Sequence, residues 1–349
     1  GRIRQALARS QSLDRRSQRA RKNSPLRSQS RHMNILRSAF SLASPGGTQG
    51  RLSVFIFHRV LPETDPLFPD EPDAQSFART LDWIKSWFNV LPLDVAVNHL
   101  KQQDLPARAA VITFDDGYAD NRTIALPILL QYGLTATFFI ATGFLDGGRM
   151  WNDTVIESVR RCKESVLDLT PLELGIHCIA NTIEKCHAIQ DIIGNIKYLP
   201  VTERTDLTEK IANIANVNPA DNLMMTSAQV VEMRAAGMQI GAHTVSHPIL
   251  ASISLDDARE EIMSSKKCLE QLLGEKITLF AYPNGKPGVD YKPEHAALIR
   301  GLGFDSAVST AWGVAEYSSD IYQIPRFTPW DKSKFRFGIR LLRNFSAHQ

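Results

Sequence analysis

The run Val111-Ile112-Thr113-Phe114-Asp115-Asp116-Gly117-Tyr118 decides the fold. Four apolar or β-branched residues in succession read as a buried strand. Two carboxylates stand at its C-terminal end, and a glycine turns the chain away. Like charges side by side repel, and burying them is costly. A fold keeps such a pair when the two do different jobs, for instance one binding a cation and the other handling protons. A surface Asp-Asp-Gly turn after an edge strand is the plainer reading, and this run alone does not separate the two.

A second run does. Gln239-Ile240-Gly241-Ala242-His243-Thr244-Val245-Ser246-His247-Pro248 follows a helix expected over Ser227 to Ala236. It reads as a short strand entering a loop with two histidines four apart. That spacing turns both imidazoles the same way, as a metal site needs. One Asp and two His make a facial set of three ligands with positions left for water and substrate. This is the open, catalytic pattern of ligation and not the closed four-ligand one.

Together, Thr113-Phe114-Asp115-Asp116-Gly117 and His243-Thr244-Val245-Ser246-His247 resemble the polysaccharide deacetylase family, the NodB homology domain of carbohydrate esterase family four. The resemblance runs from about Leu52 to Phe327. It implies a distorted (β/α) barrel of about seven parallel strands, a divalent metal with zinc first, and hydrolysis of N-acetyl groups on amino sugars. By position it implies Asp115 as general base and Asp116, His243 and His247 as metal ligands. A backbone N–H near Tyr282-Pro283-Asn284 would help hold the oxyanion.

Two positions depart from the family pattern. The Arg that orients the base is replaced by Ala281. The His that serves as general acid is replaced by Arg326, in Ile324-Pro325-Arg326. Arg cannot deliver a proton near neutral pH, but it can pair with Asp115 and stand in for the missing Arg. That leaves the general acid unassigned; His58, ending a first strand Ser53-Val54-Phe55-Ile56-Phe57, is the best candidate, since a similar His follows the first strand in the exopolysaccharide branch of the family, and a satisfied core or rim histidine is the plainer reading.

Working outward, strands and helices alternate. Helices are expected over Ala74–Phe88, Leu93–Gln102, Asn121–Tyr132, Leu255–Leu273 and Glu294–Leu302. Further strands are expected over Ala136–Ala141, Ile277–Tyr282, Phe304–Ser309 and Tyr322–Phe327. Such alternation argues a parallel sheet with crossovers. The proposed functional residues fall at strand C-termini, the face on which barrel active sites are built. Residues 145–225 interrupt the pattern with helices and no evident strand, and are expected to pack beside or over that face. Trp151, in Met150-Trp151-Asn152-Asp153, is placed there to stack on a sugar or to anchor the insertion.

The chain has 349 residues, enough for one large α/β domain, here 51–345. Its charge is only +3, but residues 1–32 hold nine Arg and Lys22 against Asp14, so the remainder is acidic. Residues 1–50 are expected to be a disordered basic tail. His32-Met33 reads as a junction with foreign sequence or a start preceded by upstream residues. Nucleic-acid binding would rest on this tail alone and is not expected. No stretch is long enough to cross a bilayer, and a cytoplasmic location is expected unless sequence outside this stretch carries an export signal. The four Cys show no ligand spacing and are expected as free thiols. The expected partner is therefore an N-acetylated carbohydrate: a polymer, an oligomer or a lipid-linked intermediate. The alternatives are hydrolysis of another C–N bond, such as a formamide or ureide, or carbohydrate binding by a catalytically weak relative.

Overall fold

The computed structural model describes residues 36–346. In chain order its strands are β1 (Ser53–Phe57), β2 (Asn89–Val90), β3 (Ala109–Phe114), β4 (Thr137–Ile140), β5 (Val166–Asp168), β6 (Ile176–Cys178), β7 (Gln239–Ala242), β8 (Leu279–Ala281) and β9 (Ser306–Val308). Its helices are α1 (Ala74–Trp87), α2 (Leu93–Gln102), α3 (Leu126–Tyr132), α4 (Trp151–Arg161), α5 (Thr182–Ile196), α6 (Val201–Ile214), α7 (Ser227–Ala235), α8 (Leu255–Leu273), α9 (Pro293–Gly301) and α10 (Lys334–Asn344). Seven strands pair in parallel in the order β1-β3-β4-β7-β8-β9, with β2 added beside the start of β3. The sheet curls, with helices around it, into a distorted (β/α) barrel.

Alternation along the strands separates two cores. Val54, Val111, Phe139, Leu279 and Val308 pack into one cluster with Leu93, Ala96, Val97 and Leu100 of α2. Their sequence neighbours Phe55, Ile112, Phe138, Phe280 and Ala307 belong to the other, under the surrounding helices. One set faces the barrel interior and the other faces out, as the period of two requires. The side chain of Gln239, at the start of β7, accepts from the backbone N–H of Leu93 at 2.6 Å. Helix α2 therefore plugs the end from which the strands start, and the opposite end is left for chemistry.

The expected last strand over Tyr322–Phe327 is not a regular strand. Pro325 has no N–H, and the Arg326 N–H turns aside to Ala311 O at 2.9 Å. The segment still closes the ring. Ile324 N–H donates to Ala307 O at 2.9 Å and Ser309 N–H to Ile324 O at 2.8 Å; Phe327 N–H donates to Val54 O at 2.8 Å and Ile56 N–H to Phe327 O at 3.1 Å. Bridging β9 to β1 in this way aims the Arg326 side chain into the barrel.

Two further expectations are corrected. The insertion contains a short antiparallel hairpin, β5–β6, besides its helices α4, α5 and α6. Alternation over three residues is too short a signal to read beforehand. The folded body also begins before residue 51. Residues 36–43 are helical, and Phe40 is fully buried against Trp87 and Phe88, at 5.3 and 4.9 Å between ring centroids. The basic tail over 1–32 lies outside the described residues. No described helix is long and apolar enough to cross a membrane.

The barrel interior is filled tightly at Gly241. A Cβ there would lie 2.5 Å from the Phe139 ring and 3.0 Å from Leu279 O. Gly241→Ala is expected to destabilise the fold by about 1–3 kcal/mol through overpacking, measured by chemical denaturation. Phe139→Leu in the same chain should recover part of the loss. An unchanged midpoint for Gly241→Ala would show that the interior has room to spare.

Candidate active site

Interior-facing parity carries three side chains to the open end: Asp115 beyond β3, His243 beyond β7 and His58 beyond β1. Asp116 turns back toward the same point because its backbone enters the left-handed region, at φ 75°. Thr244, His247 and Asn284 are also left-handed, at 65°, 52° and 58°. Four such non-glycine residues around one cleft are strain held in place by the surrounding fold, a recurring mark of functional sites.

Asp116 Oδ1 lies 3.4 Å from both His243 Nε2 and His247 Nε2, and the two Nε2 atoms are 3.1 Å apart. His243 Nδ1–H donates to Ala281 O at 2.7 Å, which turns the Nε2 lone pair toward the other two groups. Burial pushes the His247 pKa down to about 3, against the pull of Asp116, so its imidazole is neutral. Burial alone would raise the Asp116 pKa; the imidazoles of His243, His247 and His58 around it outweigh burial and keep the group ionised. A tetrahedral ion with ligand bonds of about 2.0–2.1 Å has edges of about 3.3–3.4 Å. One carboxylate and two imidazoles at the observed separations fit a divalent cation of the zinc kind. Among the described residues this is the one cluster of three such groups.

Asp115 is held differently. Arg326 grips both carboxylate oxygens, Nη1 to Oδ1 and Nη2 to Oδ2, each at 2.7 Å. Arg326 Nε donates to Ser309 O at 2.7 Å, and Nη1 also reaches Thr113 Oγ1 at 3.2 Å. The guanidinium is fully buried, and each of its nitrogens has a partner, which a buried ion pair needs to persist. Burial alone would raise the Asp115 pKa; the Arg326 charge, then His243, override it and lower it. The two adjacent aspartates are thus separated in role, one turned to the imidazoles and one clamped by Arg.

These groups open onto a cavity of about 420 Å³ whose far wall comes from the insertion: Met150, Trp151, Asp153, Arg160, Lys197 and Arg204 all line it. Arg160 pins the wall in place through a bidentate pair with Asp65, at 3.0 and 2.6 Å, in the loop after β1. The insertion therefore packs over the open barrel end.

Other anticipated residues divide. His58 and Asn284 line the cavity. Trp151 lines it too, but one face of its ring is covered by Arg204, 4.6 Å from the centroid. Tyr282 does not reach the cavity. It points outward, stacks on Tyr291 at 3.8 Å and bonds Tyr322 O through its hydroxyl. Its N–H goes to Val308 O within the sheet. Pro283 has no N–H, so Asn284 is the member of that trio left to face substrate.

One cavity group was not anticipated. Asp153, at the start of α4, is buried with Oδ1 3.3 Å from the Tyr118 hydroxyl, and its Oδ2 has no partner among the described residues. Burial pushes its pKa up to about 7, against the favourable charge of Arg59. Arg59 is itself paired with Asp120 at 2.8 Å and lies 4.5 Å over the Tyr118 ring. Asp153 sits in the quoted Met-Trp-Asn-Asp run, but only the packing of the insertion against Tyr118 gives it this environment.

Residues 102–167 and 197–307 match the profile of the family described as polysaccharide deacetylase. YxkH of Bacillus subtilis (strain 168), a protein assigned to the polysaccharide deacetylases, is 19% identical over 278 residues, covering 79% of this chain and 70% of its own. The Streptococcus pyogenes deacetylase PplD, solved with acetate, superposes with a TM-score of 0.56 at 19% identity, over 84% of this chain and 98% of PplD. IcaB from Ammonifex degensii gives 0.53 at 19% identity, over 87% and 99%. A de-N-acetylase from Aggregatibacter actinomycetemcomitans gives 0.54 at 16%, over 84% and 99%. These likenesses confirm the fold.

The raised pKa of Asp153 makes stability depend on pH. The folded chain holds a proton that the unfolded chain, with an ordinary value of 3.8, releases earlier. The contribution is therefore full below that value and is lost as pH rises through about 7. Asp153→Asn removes the titration. Between pH 5 and pH 8 the melting temperature of the wild type should fall relative to that of Asp153→Asn. Parallel curves across this window would contradict the buried, protonated carboxyl.

Proposed function

Because the chain belongs to the polysaccharide deacetylase family, we propose that it removes N-acetyl groups from an amino-sugar polymer, oligomer or lipid-linked glycan by a metal-dependent hydrolysis with Asp115 as general base. The observation that carries this reading is the divided aspartate pair: Asp116 with His243 and His247 at one centre, and Asp115 clamped by Arg326 beside it.

Asp116, His243 and His247 would hold the ion. A divalent metal there, zinc first, supplies positive charge that polarises an amide carbonyl and eases loss of a proton from water. Asp115 accepts that proton, and the Arg326 grip fixes the direction in which its oxygens face. The Asn284 N–H, at the end of β8, faces the developing oxyanion. The leaving amine needs a proton that Arg326 cannot give. His58 donates it from the end of β1, the strand paired along β3 and hence beside the aspartates. The insertion shields the reacting groups from bulk water and limits which saccharides enter.

The deciding assay is mass spectrometry of N-acetylated oligosaccharides incubated with the metal-loaded chain. His243→Ala should lose bound metal and activity together while keeping its fold; full metal occupancy in that variant would overturn the ligand set. Asp115→Asn should keep the metal and lose about 100-fold or more in rate, on general-base magnitudes. Loss of metal in proportion to activity would reverse the two aspartates.

Arg326 lowers the Asp115 pKa, and the base works only when ionised. Arg326→Gln removes the charge and should move the acidic limb of the pH–rate profile upward. An unmoved limb would contradict the pairing. His58→Ala should slow the reaction while leaving the metal bound. If Asp153→Asn slows the reaction and His58→Ala does not, the donor is Asp153.

A further inference from the structure

The cationic side chains of the cleft are not all balanced. Arg59 pairs with Asp120, Arg160 with Asp65 and Glu157, and Arg326 with Asp115. Arg204 is the buried exception. It is 3% exposed, yet no carboxylate pairs with it among the described residues. Its Nη1 donates to Lys197 O at 3.0 Å, and its buried Nε has no partner among the described residues. Its cation rests on the Trp151 ring. Burial acts on it unopposed and lowers its pKa. A buried guanidinium without an anion is costly, and Arg is built for planar, two-pronged recognition of carboxylate or phosphate.

Its position says where such an anion would come from. Arg204, Lys197 and Ile249 line the cleft that holds Asp116 and the histidines, and they also line a second cavity of about 480 Å³ beside it. Lys197 is half-buried and adds a second charge at this junction; its ammonium lies 5.6 Å over the Tyr198 ring. A saccharide whose acetamido group lies at the aspartates would extend past Trp151 to this point.

We propose that Arg204 and Lys197, braced by Trp151, form an anion subsite at the junction of the two cavities, which takes a carboxylate or phosphate group carried by the saccharide substrate. The subsite rests on the deacetylase reading for the identity of the saccharide, but not for its affinity toward anions. It would make the enzyme select acidic glycans, or glycans linked through phosphate, over neutral ones. The two sources share one chemistry, a doubly accepting oxyanion facing a guanidinium.

The test measures binding to the full metal-loaded chain by calorimetry, with glucuronate, inorganic phosphate and a neutral N-acetylglucosamine oligomer as probes. At least one anion should bind the wild type and bind Arg204→Gln about tenfold or more weakly, the loss of about 1.4 kcal/mol expected for one charged contact. Arg204→Lys should recover part of it. Lys197→Gln, at a half-exposed position that folding tolerates, should weaken the same anion. The favoured probe identifies the source, carboxylate or phosphate. Absence of binding by both anions, or equal binding by Arg204→Gln and wild type, overturns the proposal whether or not the chain deacetylates anything. Anion binding that depends on Arg204, in a chain inactive on every N-acetylated saccharide, supports the subsite and counts against the deacetylase reading alone.

Discussion

The site depends on one buried ion pair. Asp115 leaves the end of β3 facing into the barrel, where an unpaired carboxylate would lose its charge or destabilise the fold. Arg326 meets it with two hydrogen bonds of 2.7 Å. The pair is possible because the irregular segment around Pro325 closes the ring between β9 and β1 and points the guanidinium inward above Phe139, 6.0 Å from its ring centre. Ring closure and the orientation of Asp115 are thus the same structural event. Ala281 fits the same logic. It lies on the barrel interior beside His243, where its carbonyl receives the imidazole N–H, and Arg326 holds Asp115 from the other side of the barrel.

Around this pair the protein concentrates charge and strain. Asp116 and His247 adopt left-handed backbones to bring their donor atoms to His243. The insertion then closes over them and is tied down by the Arg160–Asp65 pair. Its own apolar core, with Val155, Ile192 and Ile211, holds α4, α5 and α6 together as a wall. The wall presents polar groups with unequal satisfaction to the cleft: Arg160 fully paired, Asp153 with a pKa raised by burial, Arg204 without an anion among the described residues. On the proposed reading, such a surface would discriminate among saccharides by charge and hydrogen bonding.

Much of this was legible in the sequence, for physical reasons. Runs such as Val111 to Phe114 are buried on both faces and read as strands without ambiguity. Helices α2 and α8 matched their expected bounds because their apolar periodicity is strong. Asp115, Asp116, His243 and His247 were found because strand parity and the four-residue His spacing are local signals. Arg326 was found through a departure at Ala281. What was missed depends on distant packing. Tyr282 was placed at the oxyanion from its neighbours in sequence, but parity turns it outward against Tyr291. The hairpin β5–β6 is too short to show alternation. Asp153 and Arg204 sit in amphipathic helices whose polar residues ordinarily face water, and only the fold of the insertion over the barrel buries them.

The central claim is that the adjacent aspartates are divided, Asp116 to the ion and Asp115 to the proton. It is tested most directly by an anomalous difference map at the zinc edge from crystals of the zinc-loaded chain. The account predicts one strong peak bounded by Asp116, His243 and His247, with Asp115 still clamped by Arg326 and outside direct ligation. A peak ligated by Asp115 with Arg326 displaced, or one located away from the two histidines, would contradict it.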